Sequence, residues 1–465
     1  MTQPKDTIKT AEPKTARQIA FEALRAIDRG AFADVVIDRK LKDLQPSTQL
    51  SVQDKGLVTE LVYGSVRRRR TLDALIDQFG KRPAAKQQAD LLQILRLGFY
   101  QLRYLDHVPD HAVVDTTVQL AKSQRLGKLS GVVNGMLRQY IREAKDASNA
   151  LTDPLKLPEA RTQQLGVLHS YPDWIIDVWR SVLLDDQVVA LCEYFNQPPQ
   201  LDLRINLQRQ SLSAAIAIFA DAGIEAIPVE GVPCALRLTS HVGAVARLPG
   251  YTQGWWAVQD SSAQLVSYLL NPQPGEMIID ACAAPGGKSL HIAELMRNEG
   301  TVWSCDRTPS RTKKIQQNID RLGSTIVRPI MGDSRNQVNF VGQSDRVLLD
   351  VPCSGLGTLN RHADARWRQT PESVNSLVTL QRELLTHAST WVKPSGVLVY
   401  ATCTLHPDEN EAQIKAFLAQ NAGWTIETPP PSFPIEPTAA GWIKVWPHIQ
   451  RMDGFFMVKL RRATT

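Results

Sequence analysis

Apolar positions change their spacing twice along this chain of 465 residues, and the changes divide it into three parts. From 15 to 145 the apolar residues recur every three or four positions, as on one face of a helix. Ala16, Ile19, Ala20, Ala23, Leu24 and Ile27 form one such face, and Leu91, Leu92, Ile94, Leu95 and Leu97 mark a more buried helix. Val114, Val118 and Ala121, then Val133, Met136, Leu137 and Tyr140, mark two more, with Pro83 and Pro109 at the boundaries between segments. The pattern predicts an all-helical domain over 15–145, preceded by a polar, disordered leader over 1–14. The polar stretch from Lys145 to Pro158 breaks the periodicity and reads as a linker.

Residues 160–260 mix the two periods. Helices are expected at Leu165–His169 and Trp174–Leu184, a strand where Leu201–Asn206 alternates, and a helix at Ser211–Ala222 ending at Gly223. From 261 to 465 short apolar runs alternate with helical stretches, the signature of a parallel sheet covered on both faces. Candidate strands are Met277–Ile279, Thr301–Cys305, Ile326–Met331, Val347–Leu349 and Val397–Tyr400. Trp442–Val445 and Phe455–Leu460 are placed to pair as a hairpin. The expected fold class is therefore multidomain: an all-α N-terminal domain, a small α+β segment and a Rossmann-like α/β domain.

Composition narrows the class. Apolar residues make up 43% and charged residues 22%, as in a globular protein. No apolar run is long enough to span a bilayer, and Met1 to Lys14 lacks the apolar core of a secretory signal. The six cysteines (192, 234, 282, 305, 353 and 403) have neither the density of a disulfide framework nor CxxC metal spacing. No metal is expected, no membrane partner, and the cytoplasm is the natural compartment. The charge is uneven. Residues 1–150 carry 25 Lys and Arg against 17 Asp and Glu, while the rest carry 28 against 30. The first third includes the run Arg67-Arg68-Arg69-Arg70. A positive module on a near-neutral body suggests a polyanion partner, most simply nucleic acid; the alternative is a solvated helix face.

The candidate chemistry lies at strand ends. Cys353, in Asp350-Val351-Pro352-Cys353-Ser354-Gly355, follows one apolar run, and Cys403, in Ala401-Thr402-Cys403-Thr404, follows another. The carboxyl edge of an open α/β sheet is where ligands bind, so two thiols delivered there point to thiol addition to a substrate. Buried packing is the alternative for either alone. The loop Asp280-Ala281-Cys282-Ala283-Ala284-Pro285-Gly286-Gly287-Lys288-Ser289 lies between a strand and a helix. It ends as a phosphate-binding loop does, but Cys282 stands where that motif needs Gly, and Pro285 lacks an N–H. Gly286 and Gly287 still let a ligand approach bare backbone. Asp306, Asp333 and Asp350 end the next three strands. Asp306 is placed to accept both hydroxyls of a ribose and Asp333 to face a base; each alone could be a helix cap.

These motifs, Asp-x-Cys-Ala-Ala-Pro-Gly-Gly-Lys, then Asp-x-Pro-Cys-Ser-Gly, then Thr-Cys, resemble those of the RNA cytosine-C5 methyltransferases. The resemblance runs from about 200 to 460 and takes in Arg204-Ile205-Asn206 and Gln259-Asp260-Ser261-Ser262. Ala112-Val113-Val114-Asp115 and Val132-Val133-Asn134-Gly135-Met136-Leu137 resemble NusB, an all-helical RNA-binding fold. The combination is similar to the 16S rRNA methyltransferase B type, also called Fmu or Sun. The resemblance implies a class I methyltransferase domain using S-adenosylmethionine, held by Cys282, Ala283, Ala284, Pro285, Gly286, Gly287, Lys288, Asp306, Asp333 and Asp350. It implies methylation at C5 of cytosine 967 of 16S rRNA, either naked or in a small-subunit assembly intermediate, by a monomer. Departures are Val351 where Ala is common, Ala363 where Pro is common, and Ala401 where Ser is usual.

C5 of cytosine is a poor nucleophile, and a thiolate adding at C6 turns it into an enamine carbon. A free cysteine is only a few per cent thiolate at neutral pH, so the site must assist. Chemistry alone leaves open which cysteine attacks. The family implies Cys403 as nucleophile, Cys353 as the group that assists release, and Asp350 on the cytosine edge. DNA cytosine methyltransferases use the Pro-Cys thiol with a Glu-Asn-Val element, which this chain lacks. Lys288 is expected to reach toward cofactor or base. Arg361, Arg366, Trp367 and Arg368 are expected on the substrate side, with the indole available for stacking, and Trp255-Trp256 in a core. Two other readings stand beside this one: a non-catalytic RNA-binding factor on a decayed enzyme, and the same chemistry on tRNA.

Overall fold

The computed structural model describes residues 14–43, 50–145, 152–240 and 242–464. The expected leader falls outside the described residues except for Lys14, as does 146–151 of the expected linker. Internal contacts separate two units. One holds the described residues up to Asp177 together with His362–Trp367, and the other holds Val178–Arg361 and the described residues from Arg368 onward.

The first unit is helical. Its first helix, Ala16–Asp28, starts at a capping box in which the Thr15 hydroxyl accepts from the Gln18 N–H and the Gln18 side chain accepts from the Thr15 N–H. Ala16, Ile19, Ala20, Ala23 and Leu24 are buried, as their spacing predicts; Ile27 is half-buried, and Phe21, outside the predicted face, is buried too. The helices Val52–Arg67 and Ala89–Tyr104 cross where Gly64 meets Tyr100; a Cβ at Gly64 would sit 2.0 Å from the Tyr100 ring. Phe79, Phe99 and Tyr140 pack edge and face with centroids 5.6–6.1 Å apart. The expected linker is not free where it is described. Asp153 forms a forked ion pair with Arg103, Leu155 is buried, and Gln78 bonds the backbone of Pro154 and Lys156. The helix Arg161–His169 also belongs to this unit, beyond the expected boundary.

The side chains of the arginine run have partners within the helical unit. Arg67 is buried, Arg68 lies 4.8 Å over the Tyr104 ring, and Arg69 lies 5.8 Å over Trp367. Arg70 donates to the Tyr171 carbonyl and to Asp173, both at 2.6 Å. Exposed basic side chains of the unit sit elsewhere, at Lys81, Arg82, Lys86, Lys122, Arg125 and Lys128. The segment His362–Trp367 departs from expectation. Arg366 is fully buried, 4.2 Å over the Tyr171 ring, and donates to the Arg67 and Ser170 carbonyls. The Trp367 indole donates to the Val66 carbonyl at 2.7 Å, and Asp364 accepts from the Ala33 N–H. These side chains pack within the helical unit, and Arg366 has no accessible surface to offer a substrate.

The second unit contains two sheets. The smaller is antiparallel, in the order β2 (Ala226–Pro228), β3 (Ala235–Leu238), β1 (Leu201–Ile205), β4 (Trp256–Val258). Leu203, Ile205, Phe219, Leu236, Leu238 and Trp256 form its core. Trp256 is buried, with its indole donating to the Pro249 carbonyl, and Trp255 is half-buried. Only β1 was legible in the alternation.

The larger sheet comprises β5 (Met277–Asp280), β6 (Thr301–Asp306), β7 (Val327–Met331), β8 (Ser344–Asp350), β9 (Val392–Thr402), β10 (Trp424–Ile426), β11 (Ile443–Val445) and β12 (Phe455–Arg462). Their order is β10-β12-β9-β8-β5-β6-β7, with β11 on β12. Strands β7, β6, β5, β8 and β9 are parallel. The pairing of β11 with β12 was expected; the antiparallel pairing of β12 with β9 was not. Chain order reverses between β5 and β8, the switch point at which such sheets open a crevice for ligands.

Arg366→Ala removes a buried guanidinium and its hydrogen bonds to two carbonyls. The expected loss is about 2–3 kcal/mol, read as a lower urea midpoint for unfolding of the helical unit in the full chain. An unchanged midpoint with weakened RNA affinity would return this arginine to the substrate side.

Candidate active site

The crevice at the switch point is a cleft of about 260 Å³. Asp306, Asp333 and Asp350 line it from the ends of β6, β7 and β8, and Cys353 and Cys403 stand at its edge. Val351, Pro352, Leu380 and Leu384 supply apolar wall. The loop after β5 contributes Ala281, Cys282 and Ala284 to the lining; Ala283, Pro285, Gly286, Gly287 and Lys288 do not line it.

The loop is held from both sides. Ala281 N–H donates to the Leu348 carbonyl of β8, and Ala283 N–H to the Cys305 carbonyl of β6, both at 2.9 Å. Gly286 adopts φ 98°, which favours glycine, and turns the chain into the helix Gly287–Leu295. Arg204, fully buried, braces that helix start: it donates to the Gly287 carbonyl at 2.7 Å and pairs with both oxygens of Glu294. Asp280 lies behind the loop and accepts from Ser289 at 2.6 Å. Burial, only partly opposed by that hydrogen bond, pushes its carboxyl up to about 7.

The acids at the strand ends differ in what they already hold. Asp306 accepts from the Thr308 N–H at 2.9 Å, with Arg311 3.5 Å away. Asp333 accepts from the Arg335 backbone and is clasped by its guanidinium at 2.6 Å, which holds the carboxyl down to about 2. Capping does not use up these carboxylates, since each still has lone pairs to offer a ligand. Asp350 accepts from the Lys288 ammonium at 2.6 Å. Burial works against the Lys288 charge, but Asp350 outweighs it and the ammonium stays above its usual range.

The two thiols meet. Cys353 and Cys403 sulfurs are 3.3 Å apart, and both cysteines are free. The Cys403 contact, then burial, raises the Cys353 thiol well above its ordinary range. Cys282 is also raised, by burial among carboxylates, which leaves it a poor nucleophile.

A group absent from the sequence reading joins the two loops. Glu409, fully buried, accepts from the Ser354 N–H at 2.8 Å, the Ser354 hydroxyl, the Thr404 hydroxyl at 3.1 Å and the Gln381 amide at 2.9 Å. Asn410 links the Thr402 hydroxyl to the Thr404 carbonyl. The signal was the acid-rich Pro407-Asp408-Glu409-Asn410 directly after the Thr-Cys loop. Below the cleft Gly357 and Gly454 cross: a Cβ on Gly357 would lie 2.0 Å from the Gly454 carbonyl oxygen, and the Gly357 N–H binds the Cys403 carbonyl.

Arg361 also departs from expectation. It is enclosed by Asp453 at 2.6 Å and Asp260 at 2.7 Å and donates to the Gln200 carbonyl, so it ties the second unit together. Burial and the nearby Asp260 push Asp453 up to about 8. Arg368 is half-buried. Among the described residues no group of three or more His, Cys, Asp or Glu side chains is arranged to hold a metal, and no helix is long and apolar enough to cross a membrane. The cleft brings three carboxylates and an apolar wall beside a pair of thiols.

Comparison with known proteins agrees with this anatomy. The family model for 16S rRNA methyltransferase RsmB/F matches residues 267–461, that for the NusB family 14–142, and that for an RsmF/B-like ferredoxin-like domain 171–245. The "Probable ribosomal RNA small subunit methyltransferase B" of Synechocystis sp. is 46% identical over 97% of this chain and 100% of its own. Its counterpart of the same name in Bacillus subtilis is 33% identical over 96% and 99%, and the "Ribosomal RNA small subunit methyltransferase B" of Salmonella typhi 35% over 91% and 94%. The crystal structure of PH0851 shares the fold, with a TM-score of 0.80 at 24% identity over 97% of this chain and 99% of its own. A methyltransferase homolog from Pyrococcus horikoshii is 25% identical and covers 66% of this chain and 100% of its own, with a TM-score of 0.58. The chain therefore belongs to the ribosomal RNA small subunit methyltransferase B family.

Proposed function

We propose that this chain methylates C5 of a cytosine in 16S rRNA, at the position the family resemblance implies, with S-adenosylmethionine as donor and through a covalent bond between Cys403 and C6. The observation that carries this reading is the pair of thiols 3.3 Å apart at the rim of a cleft lined by three carboxylates. The names of the relatives supply the substrate class.

The cleft fits the donor by its chemistry: carboxylates to accept hydroxyl and ammonium hydrogens, apolar wall for a base, and negative charge for a cation. Asp306 would hold the ribose hydroxyls. Asp333, with Arg335 on one side, would face the adenine edge, and Cys282 and Ala284 would bring the loop against the ligand. When bound, S-adenosylmethionine supplies a sulfonium methyl open to attack by carbon.

The protein's own groups do the rest. Cys403 thiolate adds to C6 of the cytosine, which places the electron pair at C5. Asp350, oriented by Lys288, accepts a hydrogen bond from the cytosine amino edge and stabilises the adduct. After transfer, C5 carries both a methyl and a proton. Once Cys403 is tied up in the adduct, Cys353 gives its own proton to solvent and as thiolate accepts the C5 proton, the C5–H electrons re-form the ring double bond, and the Cys403–C6 bond breaks to release the Cys403 thiolate. The base must be out of any stack to reach the cleft. Exposed basic side chains of the helical unit would hold the RNA backbone, with salt-dependent affinity. A reaction on ribosomal RNA places the protein in the cytoplasm.

Cys403→Ser is expected to lose both methylation of unmodified 16S rRNA and any covalent protein–RNA species. Cys353→Ala is expected to add to the RNA and fail to release it, giving an adduct that survives a denaturing gel and needs Cys403. Methylation by Cys403→Ser together with its loss in Cys353→Ser would exchange the two roles. Asp306→Ala is expected to weaken donor binding by about 10- to 100-fold, the worth of charge-assisted hydrogen bonds, measured by calorimetry without RNA.

A further inference from the structure

Cys353 and Cys403 hold their sulfurs 3.3 Å apart, both are free, and both are half-buried where they line the cleft, within reach of a small solute. A disulfide bond is about 2.05 Å long, so closing one here needs a movement of roughly 1.3 Å. The two chains leave the sheet as neighbours. Asp350 of β8 lies opposite Ala401 of β9, and the Val351 N–H donates to the Ala401 carbonyl at 3.1 Å. Neighbouring strands run about 4.8 Å apart, inside the Cα separation of about 4.4–6.8 Å that a disulfide spans.

Beyond the sulfurs the loops are fastened to each other. The Ser354 and Thr404 hydroxyls meet at 2.8 Å. Glu409, fully buried, accepts from the Ser354 N–H at 2.8 Å and from the Thr404 hydroxyl at 3.1 Å. The Gly357 N–H donates to the Cys403 carbonyl at 3.0 Å. Fastened in this way the sulfurs stay in contact, and a reaction between them is intramolecular, the entropy of bringing them together having been lost on folding.

We propose that Cys353 and Cys403 form a reversible disulfide under peroxide, a modification that switches methyl transfer off while leaving the cleft able to bind the donor. Its effect on activity rests on the thiol chemistry proposed above; formation of the bond does not. One thiolate attacks a peroxide oxygen, the O–O bond breaks, and hydroxide leaves and is protonated to water. That sulfur is now a sulfenic acid. The neighbouring sulfur loses its proton and attacks it, the S–O bond breaks, and a second hydroxide leaves as water. Two thiols are oxidised to one disulfide, and one hydrogen peroxide is reduced to two waters. Left without a partner, a sulfenic acid can pass on to sulfinic acid, which is irreversible. The contact thus guards the nucleophile against permanent loss, since exchange with a dithiol returns both sulfurs. Asp306 and Asp333 reach the cleft from other strands, β6 and β7, so the donor keeps those partners.

The test is oxidation of the purified full chain with hydrogen peroxide, without RNA, read by intact mass and by peptide mapping without reduction. The expected product is lighter by two hydrogens, with the Cys353 and Cys403 peptides cross-linked. Methylation of 16S rRNA should fall in proportion to the cross-linked fraction and return with dithiothreitol. Affinity for S-adenosylmethionine, measured by calorimetry, should stay within about threefold of the reduced protein. Cys353→Ala should instead hold Cys403 as a sulfenic acid that dimedone traps. Failure of the wild type to cross-link, across a peroxide range that oxidises free glutathione, overturns the inference. So does a Cys353–Cys403 cross-link that leaves methylation unchanged, or one that abolishes donor binding. If the reduced wild type does not methylate the RNA, the proposed function fails, while a reversible cross-link with donor binding retained still supports the thiol pair as a site of oxidation.

Discussion

Parallel pairing of β8 with β9 is the constraint on which the site depends. Leu349 lies opposite Tyr400 and Asp350 opposite Ala401, and the Val351 N–H continues the ladder to the Ala401 carbonyl. Cys353 and Cys403 follow within a few residues of that last rung, so the strand register sets where each sulfur arrives. A slip of one residue would move one thiol by about 3.3 Å and turn the strand's side chains to the opposite faces. The register is protected by burial on both faces: Val347, Leu348, Leu349, Leu398, Val399 and Tyr400 are all inaccessible to solvent. A sheet interior of this kind serves the chemistry by refusing alternative alignments.

Around that register the polar groups are arranged at a cost to stability. Asp280 is buried behind the loop with only part of its carboxyl satisfied, and Asp350 and Lys288 surrender much of their hydration to form one ion pair. Buried pairs of this sort contribute little net stability, because desolvation consumes most of the Coulombic gain. Their value is geometric. They hold acceptors at the strand ends in fixed directions, so a ligand meets a preorganised surface instead of one that must reorganise. The apolar layers under the sheet carry the stability that this arrangement spends.

What could be read from the residues alone follows from how local each signal is. The parallel strands of the catalytic sheet announce themselves as short apolar runs, and the reactive groups stand immediately after them. The helices of the first unit show in their three- and four-residue spacing. Strands β2, β3 and β4 are too short to show alternation, and the place of β12 beside β9 is a pairing between distant segments that no local pattern encodes. The arginines misled for a related reason. Charge suggests solvent or phosphate, yet Arg361 and Arg366 are enclosed by partners contributed from far along the chain. The position of Glu409 after the Thr-Cys loop was legible, but its donors Ser354 and Gln381 come from distant segments that no local pattern connects to it.

The short segment His362–Trp367 bears on how the molecule can be taken apart. Its residues are numbered with the catalytic half but complete the core of the helical unit, with Ala363 buried among that unit's apolar residues. The helical unit is therefore discontinuous in sequence. A fragment ending near Asp177 would lack part of its own interior, and a fragment beginning at Val178 would carry six residues whose burial partners had been cut away. The protein is modular in its domains but not in its covalent order. Shuffling its first unit onto another enzyme would require carrying the segment across as well.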